Sequence, residues 1–303
     1  MTRFFTALLL AAACAGGAGC SVKRFAINKL GDSLASSGTT YTADDDPDLV
    51  GQALPFSLKL VEGLLAESPR HRGLLFTAAS GFTEYAYAYV QQDADMAERQ
   101  SLDAATALRA RARRLYLRAR DYGLRGLDAR YPTFSQTLRR DPAAAVRMTT
   151  KADVPLLYWS AASWASAIAV SKDRPDLIAD QLFAEALIDR AFALDPDFDS
   201  GAIHGFLIAY EAARQGIPGD ALARSRMHFD RNVALTNGQL ASPFVSLAET
   251  VSVQRQDRVE FESLLRRALA IDADARPEWR LQNLIVQRRA RWLLACEEDL
   301  FVK

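Results

Sequence analysis

Residues 154–170 read VPLLYWSAASWASAIAV, and this stretch decides the fold because it is nearly apolar on every side. A helix on a protein surface carries polar residues along one face, whereas a helix that is apolar all round is buried. The stretch has 17 residues, three of them serines, so it is too short and too polar for a membrane span of about 20 apolar residues. We therefore expect this helix to be buried or to line a cavity.

Helical patterns continue outward from this stretch. Residues 60–90 predict a helix, a short turn at Ser68–Pro69 and a second helix, and residues 108–131 predict a long helix that ends before Pro132. Alanine and leucine dominate the chain, and no segment alternates apolar and polar residues as a half-buried strand does. The sequence therefore predicts an all-α fold.

The acidic run DDDPDLVG, residues 44–51, marks the start of a helix. Three aspartates before Pro47 supply a capping side chain and negative charge, and proline is tolerated at the first helical position. A calcium loop is excluded because the run lacks the spaced ligands, the glycine and the final glutamate of such loops. A few residues later, Pro55 must kink this helix or begin its second half.

Two later segments suggest tetratricopeptide-like helical hairpins. Ala184, Ile188, Ala191 and Pro196 stand at the small, large, small and proline positions of such a repeat's second helix. The segment FESLLRRALAIDAD repeats the pattern loosely, and the signature of the first helix is missing. We expect stacked hairpins that are related to tetratricopeptide repeats without matching their consensus, with one continuous core and a concave surface.

The N-terminus resembles a bacterial lipoprotein signal. Arg3, an apolar run and small residues precede Cys20, so residues 1–19 predict a signal peptide and Cys20 predicts the lipidated first residue of the mature chain. A branched apolar residue is usual three residues before the lipidated cysteine, and Gly17 stands there instead. Ordinary signal-peptide cleavage is therefore the alternative. Ser21 favours the outer membrane. Residues 20–43 predict a tether with a short helix, and residues 44–303 a single helical domain.

Chemistry-bearing motifs are missing from the sequence. The three histidines, His71, His204 and His228, have no partner at metal-ligand spacing, and no nucleophile, phosphate-loop or zinc motif is present. Cys296 is interpreted as a small buried residue. Positive and negative residues balance at 37 each, so no overall field favours nucleic acid. We expect a protein that is not an enzyme and that requires no cofactor or metal.

Three groups of residues are candidates for binding. Aromatic residues of the apolar helix are interpreted as core residues or as the lining of a cavity: Tyr158, Trp159 and Trp164. Asn283 and Gln287 lie four residues apart, and they form either a solvated stripe or the polar anchors of a channel. Arginines fall on one face of the long helix and form either a solvated face or a docking stripe for an acidic partner or lipid headgroups: Arg111, Arg114, Arg118 and Arg125.

Several stretches together resemble TatT, the T-component lipoprotein family of tripartite ATP-independent periplasmic (TRAP) transporters. They include DDDPDLVGQALPFSLKLVEGLL, ASGFTEYAYAYV, RRLYLRARDYGLRGL and PEWRLQNLIVQRRARWLL. The likeness runs in order through nearly all of residues 20–303, and no single motif carries it.

This resemblance implies a homotrimer of TPR-like subunits, each with a pore or cleft, onto which a periplasmic ligand-binding P component docks. The implied role is the capture or transfer of small, hydrophobic ligands for an ion-coupled permease, without catalytic residues. From the residues alone, the alternative is an envelope lipoprotein whose concave surface scaffolds outer-membrane or secretion-machinery assembly.

Overall fold

The computed structural model describes Lys29 and residues 39–302, and all regular elements among these residues are helical. The predicted all-α class is confirmed. The predicted signal peptide, residues 1–19, and the predicted lipidation site, Cys20, lie outside the described residues. So does most of the predicted tether, residues 20–43.

The N-terminal half begins with a short helix and continues through four long ones. Its helices are α1 (Thr39–Thr42), α2 (Pro47–Glu67), α3 (Arg72–Ala86), α4 (Gln92–Glu98), α5 (Leu102–Arg130), α6 (Phe134–Arg140), α7 (Pro142–Arg147) and α8 (Val154–Ala169). A π-helical turn, Tyr87–Gln91, joins α3 to α4.

The C-terminal half also consists of long helices joined by short helices and turns. Its helices are α9 (Pro175–Ile178), α10 (Gln181–Leu194), α11 (Phe198–Ala213), α12 (Ala221–Leu235), α13 (Ser242–Leu247), α14 (Arg258–Leu269) and α15 (Arg280–Ala295). A second π-helical turn, Ala248–Ser252, extends α13. Short 3₁₀ turns lie at Lys151–Asp153, Ala273–Ala275, Pro277–Trp279 and Glu297–Asp299.

Helix ends fall where the sequence signals predict them. Asp46 caps α2, because its side chain accepts hydrogen bonds from the backbone N–H groups of Asp48 and Leu49 at 3.1 and 2.9 Å. The imidazole Nδ1 of His71 caps α3 by accepting from the N–H of Leu74 at 3.2 Å. Pro55 lies inside α2, which continues through it as one helix from Pro47 to Glu67.

Helix α8 is covered on nearly all sides, as its composition predicts. It packs against α3, α5, α10 and α11, and most of its side chains are buried. The closest approach is to α5, where a Cβ atom on Gly123 would lie 2.2 Å from the Ser160 hydroxyl. A larger residue than glycine would therefore push these two helices apart.

The helices follow one another around a closed ring. Each long helix packs on its neighbours in sequence, and the last helix, α15, returns to contact α1 and α2. One large apolar cluster joins α5 and α8 of the N-terminal half to α10 and α11 of the C-terminal half, and two others lie within one half each. A small cluster of Ile208, Leu247 and Val251 joins α11 to α13 and its π-helical turn. The contacts between successive helices therefore close on themselves.

The helical positions predicted from tetratricopeptide repeats are buried, and Pro196, which follows α10, is exposed. Ala184, Ile188 and Ala191 face the core from α10, and Phe261, Leu265 and Ala268 face it from α14. Burial of these faces agrees with helical hairpins. Stacking of the hairpins in the manner of tetratricopeptide repeats stays a prediction.

Helix α2 is long and apolar enough, by length and composition, to cross a membrane. Only Val50, Leu58, Val61 and Leu65 of its residues are buried in the fold. On its outer face, Phe56 is 75% exposed, and Leu49 and Leu60 are exposed beside it. Helix α2 thus covers the core with one face and presents an apolar stripe on the other.

Asp153, at the start of α8, is a fully buried carboxylate that ties three segments together. Arg72 of α3 donates to Asp153 Oδ1 at 2.7 Å, and Arg130 of α5 donates to the same oxygen at 3.1 Å. The Tyr131 hydroxyl and the backbone N–H of Thr150 donate to Oδ2 at 2.8 and 2.9 Å. Burial alone would raise the pKa of Asp153, but these hydrogen bonds hold it below its usual value.

We predict that Asp153→Ala lowers the free energy of unfolding by about 3 kcal/mol, because it removes a fully buried acceptor and leaves the Tyr131 hydroxyl and the Thr150 N–H without their partner. Urea denaturation followed by circular dichroism measures the change. The matched control is Asp173→Ala, whose carboxylate is exposed and lies 3.6 Å from Arg113. Equal effects of the two substitutions would contradict the role given to Asp153.

Candidate functional site

Three side chains are accessible to water although protein surrounds them. Glu84 and Tyr87 project from α3 and its π-helical turn, and Asp199 projects from the start of α11; all three are exposed. Nevertheless, loss of hydration, with the charge of Asp199, raises the pKa of Glu84 to about 7. Loss of hydration also raises the pKa of Tyr87 to about 12 and that of Asp199 above its usual value. Side chains that are both accessible and poorly hydrated indicate a recess between protein segments, and we call the recess beside Glu84, Tyr87 and Asp199 the central cleft.

The backbone directs Asp199 toward the central cleft. Asp199 and Ser200 adopt left-handed φ angles of 46° and 53°, and Gly201 follows at 89°. A Cβ atom on Gly201 would lie 2.8 Å from Leu235 and 2.9 Å from the side-chain nitrogen of Asn232. Glycine therefore satisfies both the angle and the close approach of α12 at this bend.

A charged cluster lies beside Tyr87. Arg289 of α15 donates through Nε and Nη2 to Glu249 Oε1 at 3.0 and 2.6 Å, and its Nη2 lies 3.1 Å from Asp95 Oδ2. Burial raises the pKa of Glu249, although Arg289 opposes this shift. Tyr87 and Glu249 stand on the two π-helical turns, a geometry that often occurs at functional sites. The cluster joins the two halves of the ring at the edge of the central cleft.

Two of the predicted aromatic residues belong to an aromatic wall near Glu84 and Asp199. The Tyr158 ring lies 5.0 Å from Trp159, 5.8 Å from Phe198 and 6.5 Å from Phe206, between ring centroids. Tyr158 is nearly buried, and the charges of Asp199 and Glu84 act together with burial to raise its pKa. Tyr158 and Trp159 are thus near the central cleft, and ligand contact by these residues stays a prediction.

Trp164 is placed differently. Its side chain is fully buried, stacks on Phe183 at 5.5 Å and has the guanidinium groups of Arg120 and Arg139 over its ring. These contacts lie in the apolar core between α5, α8 and α10. The structure therefore gives Trp164 a packing role and does not bring it together with the other candidates.

Asn283 and Gln287 do not form a solvated stripe, so that interpretation is wrong. Asn283 accepts from the N–H of Ala241 at 2.8 Å and donates to the carbonyl of Gln239 at 3.1 Å. Gln287 donates to the carbonyls of Ala268 and Ile271 at 3.1 and 2.7 Å. Both side chains are buried because they satisfy backbone groups at the ends of α12 and α14. Their periodicity identified one face, but not whether water or protein covers it.

The predicted arginine face of α5 lies on the outer surface. The guanidinium of Arg111 lies over the Tyr85 ring, that of Arg118 over Phe82 and that of Arg125 over Tyr122, at 5.6, 5.3 and 5.0 Å from the centroids. Arg114 is exposed between them. Stacking fixes the flat guanidinium groups against the surface. Hence the face is a set of positioned, exposed charges; a docking role for it stays a prediction.

The fold also brings together residues that the sequence did not pair. His204 of α11 and His228 of α12 are buried, with their Nδ1 atoms 2.8 Å apart, so one imidazole donates to the other. Burial lowers the pKa of both, that of His228 to about 4. Among the residues that the structure describes, no group of three or more histidine, cysteine, aspartate or glutamate side chains could hold a metal. Cys296 is buried, as predicted.

Glu84 is the functional candidate that sequence reasoning missed. It is the only charged residue between Arg72 and Asp93, in a run of otherwise apolar and neutral residues. A single carboxylate within such a run was a usable signal, because a helix rarely carries an unpaired charge on a face that packs. Glu249 and Arg289 carried no comparable signal, since they stand 40 residues apart on different helices of the C-terminal half.

Together, these features define a class of protein: a closed ring of helices that encloses an accessible, polar and aromatic interior. The family model described as "TRAP transporter T-component" matches residues 43–301. A protein of Treponema pallidum (strain Nichols), described as an uncharacterized protein, is 30% identical over 309 aligned residues, which cover 96% of each chain. The chain belongs to the T-component family of TRAP transporters, whose members work in the cell envelope with other transporter components.

We predict that Glu84→Gln becomes more stabilising as the pH rises. The pKa of Glu84 is about 7 in the folded chain against 4.5 for an ordinary glutamate. Its contribution to stability is therefore complete below the lower value and is lost as the pH rises through the higher one. Unfolding by urea at about pH 5 and about pH 8 should show the advantage of the glutamine variant only at the higher pH.

The control for this experiment is Glu67→Gln, which makes the same chemical change at an exposed position on the outer end of α2. An equal pH dependence for both variants, or a constant difference between Glu84→Gln and the parent chain, would contradict an enclosed position for Glu84.

Proposed function

We propose that this T component docks the periplasmic solute-binding P component of its transporter and receives a small ligand in the central cleft. The observation that carries the proposal is that Glu84, Tyr87 and Asp199 are accessible and yet poorly hydrated. Such a space can hold a ligand away from bulk water. The aromatic wall of Tyr158, Trp159 and Phe206 adds apolar surface, which suits a small hydrophobic ligand.

The polar groups of the central cleft would orient such a ligand. Pockets for small molecules combine apolar walls with a few positioned polar groups. Here Glu84 supplies a carboxyl group that exchanges its proton near neutral pH, and Tyr87 supplies a hydroxyl that stays protonated. In this proposal the protein binds and transfers its ligand without chemical change, and it acts as a non-enzymatic component.

We further propose that Cys20 carries the lipid anchor, that the protein faces the periplasm from the outer membrane, and that three copies assemble. The lipoprotein signal and the family support these proposals. The exposed apolar stripe of Leu49, Phe56 and Leu60 on α2 offers a surface for contact with another copy.

The arginine face of α5 is the proposed docking surface for the P component. Its guanidinium groups are positioned by stacking on aromatic rings. Arg118 also lies 3.7 Å from the carboxylate of Glu62. Positioned exposed charges accelerate and orient the encounter of two proteins. An acidic face on the P component would complement them.

The double variant Arg114→Glu/Arg118→Glu is expected to weaken binding of the P component roughly 10-fold, because it replaces attraction with repulsion. Biolayer interferometry with the anchored full chain and the purified P component measures the dissociation constant at several salt concentrations. The effect should shrink as salt screens the charges.

A matched control is Arg140→Glu/Arg147→Glu, which changes the net charge equally at exposed positions on α6 and α7. If the parent chain binds no P component at any salt concentration, the proposed function is wrong. If the parent chain binds and both double variants bind equally well, the function stands and the docking surface lies elsewhere. Selective capture of secretion-machinery proteins would instead support the scaffold alternative.

A further inference from the structure

The closure of the ring differs chemically from its other helix contacts. Where residues 280–299 meet the N-terminal half, arginine side chains make the polar contacts, and Ile285 lies opposite Pro47, Ala88 and Met96. Arg280 donates to the carbonyl of Ala43 at 2.9 Å, and Arg288 lies 3.3 Å from Asp48. Arg289 lies 3.1 Å from Asp95, and Arg99 pairs with Asp299 at 2.8 Å. We call this contact between α15 and the segment α1–α4 the seam.

No apolar cluster of the described residues crosses the seam. The cluster that contains α15 is confined to residues from Phe229 onward, and the cluster of α2, α3 and α5 contains none of them. Elsewhere the helices are held by fully buried side chains such as Leu157, Trp164 and Phe244. Apolar burial supplies most of the free energy that holds packed helices together, so we infer that the seam is held less strongly than the contacts that these clusters cover.

Packing at the seam is also incomplete. A cavity of about 10 Å³ lies there, lined by Tyr89 and Gln92 on one side and by Ile285 and Arg288 on the other. This is room for about one water molecule. The Tyr89 hydroxyl, the Gln92 side-chain nitrogen and Arg289 Nη1 are buried without a hydrogen-bond partner. Buried polar groups without a partner raise the free energy of the closed seam. This cost disappears when the seam opens and water binds to them.

The ion pairs at the seam are easy to exchange for water. Asp48 and Arg288 have side chains 79% and 57% exposed, and Arg99 and Asp299 are exposed to a similar degree. Arg289 would keep its two hydrogen bonds to Glu249, because both residues lie on the C-terminal side of the seam. Separation would therefore break only its contact with Asp95. Exposed ion pairs of this kind contribute little to stability.

We propose that the seam is a lateral gate: α15 separates from α1, α2 and α4 and opens the central cleft to the side. Tyr87 and Glu249, at the edge of the central cleft, lie next to the Arg289 contact that would separate. Opening there would let a small ligand enter the central cleft from the side. The seam can open whether or not a ligand is bound, so the test of the gate is independent of the proposed function.

Spin labels on opposite sides of the seam test the gate. The sites are Gln52 on α2 and Arg291 on α15, both exposed. They are introduced as cysteines in a full chain that carries Cys14→Ser, Cys20→Ser and Cys296→Ser, the last of which keeps an acceptor for Arg99. Double electron–electron resonance should give two distances, and Arg280→Gln/Arg288→Gln should raise the population of the longer one by about threefold or more.

Two controls separate gating from general loosening. The label pair Gln52 and Asp121 lies within the N-terminal half and should give one distance in every variant. Arg266→Gln removes an exposed arginine–glutamate pair remote from the seam and should leave the distances unchanged. If the seam variant loses helicity, Asp48→Asn, which disturbs one exposed partner only, replaces it. One distance across the seam, unchanged by every folded seam variant, would overturn the gate.

Discussion

A helix that is apolar on every face can be folded only if other helices surround it, and α8 imposes this requirement on the chain. Four helices, α3, α5, α10 and α11, cover it. Gly123 of α5 allows one of them to approach within contact of the α8 backbone. Once these neighbours are in place, the rest of the chain must continue around them, and α15 meets α1 and α2 to close the ring. The central cleft is a consequence of how α8 is buried.

The interior of the ring concentrates the unusual electrostatics of the molecule. Many carboxylates of the described residues form ion pairs, and water screens the exposed ones, such as those of Asp176 and Glu278. Glu84, Asp199 and Glu249 instead have their pKa values raised, because protein replaces much of the water around them. Apolar walls and poorly hydrated polar groups in one space are the features that small-molecule sites share. This is the physical link from the fold to the transport role of the family.

The sequence predicted local features well because local interactions determine them. The burial of α8, the cap at Asp46 and the burial of Cys296 all follow from composition or from neighbours along the chain. The exposed arginine face of α5 followed from its spacing. Each of these depends on residues within a few turns of one helix.

Contacts between distant segments escaped prediction for the opposite reason. The pairing of Arg289 with Glu249, and of His204 with His228, joins different helices, and spacing along the chain does not show which helix faces pack together. Asn283 and Gln287 show the same limit, since their shared face was evident and the backbone that covers it was not. Polar residues at helical spacing indicate a face, and only the fold decides whether that face binds water, ligand or backbone.

The accessibility of Glu84 to reagents of different size tests the central claim most directly. A chain with Glu84→Cys as its only cysteine is treated with a small methanethiosulfonate reagent and with a polymer-linked maleimide, and Lys59→Cys on the exposed side of α2 serves as reference. An enclosed, water-containing cleft predicts that the small reagent modifies both positions and that the polymer-linked one modifies position 59 far faster than position 84. Equal rates at the two positions with the large reagent, or no modification of position 84 by the small one, would contradict the account.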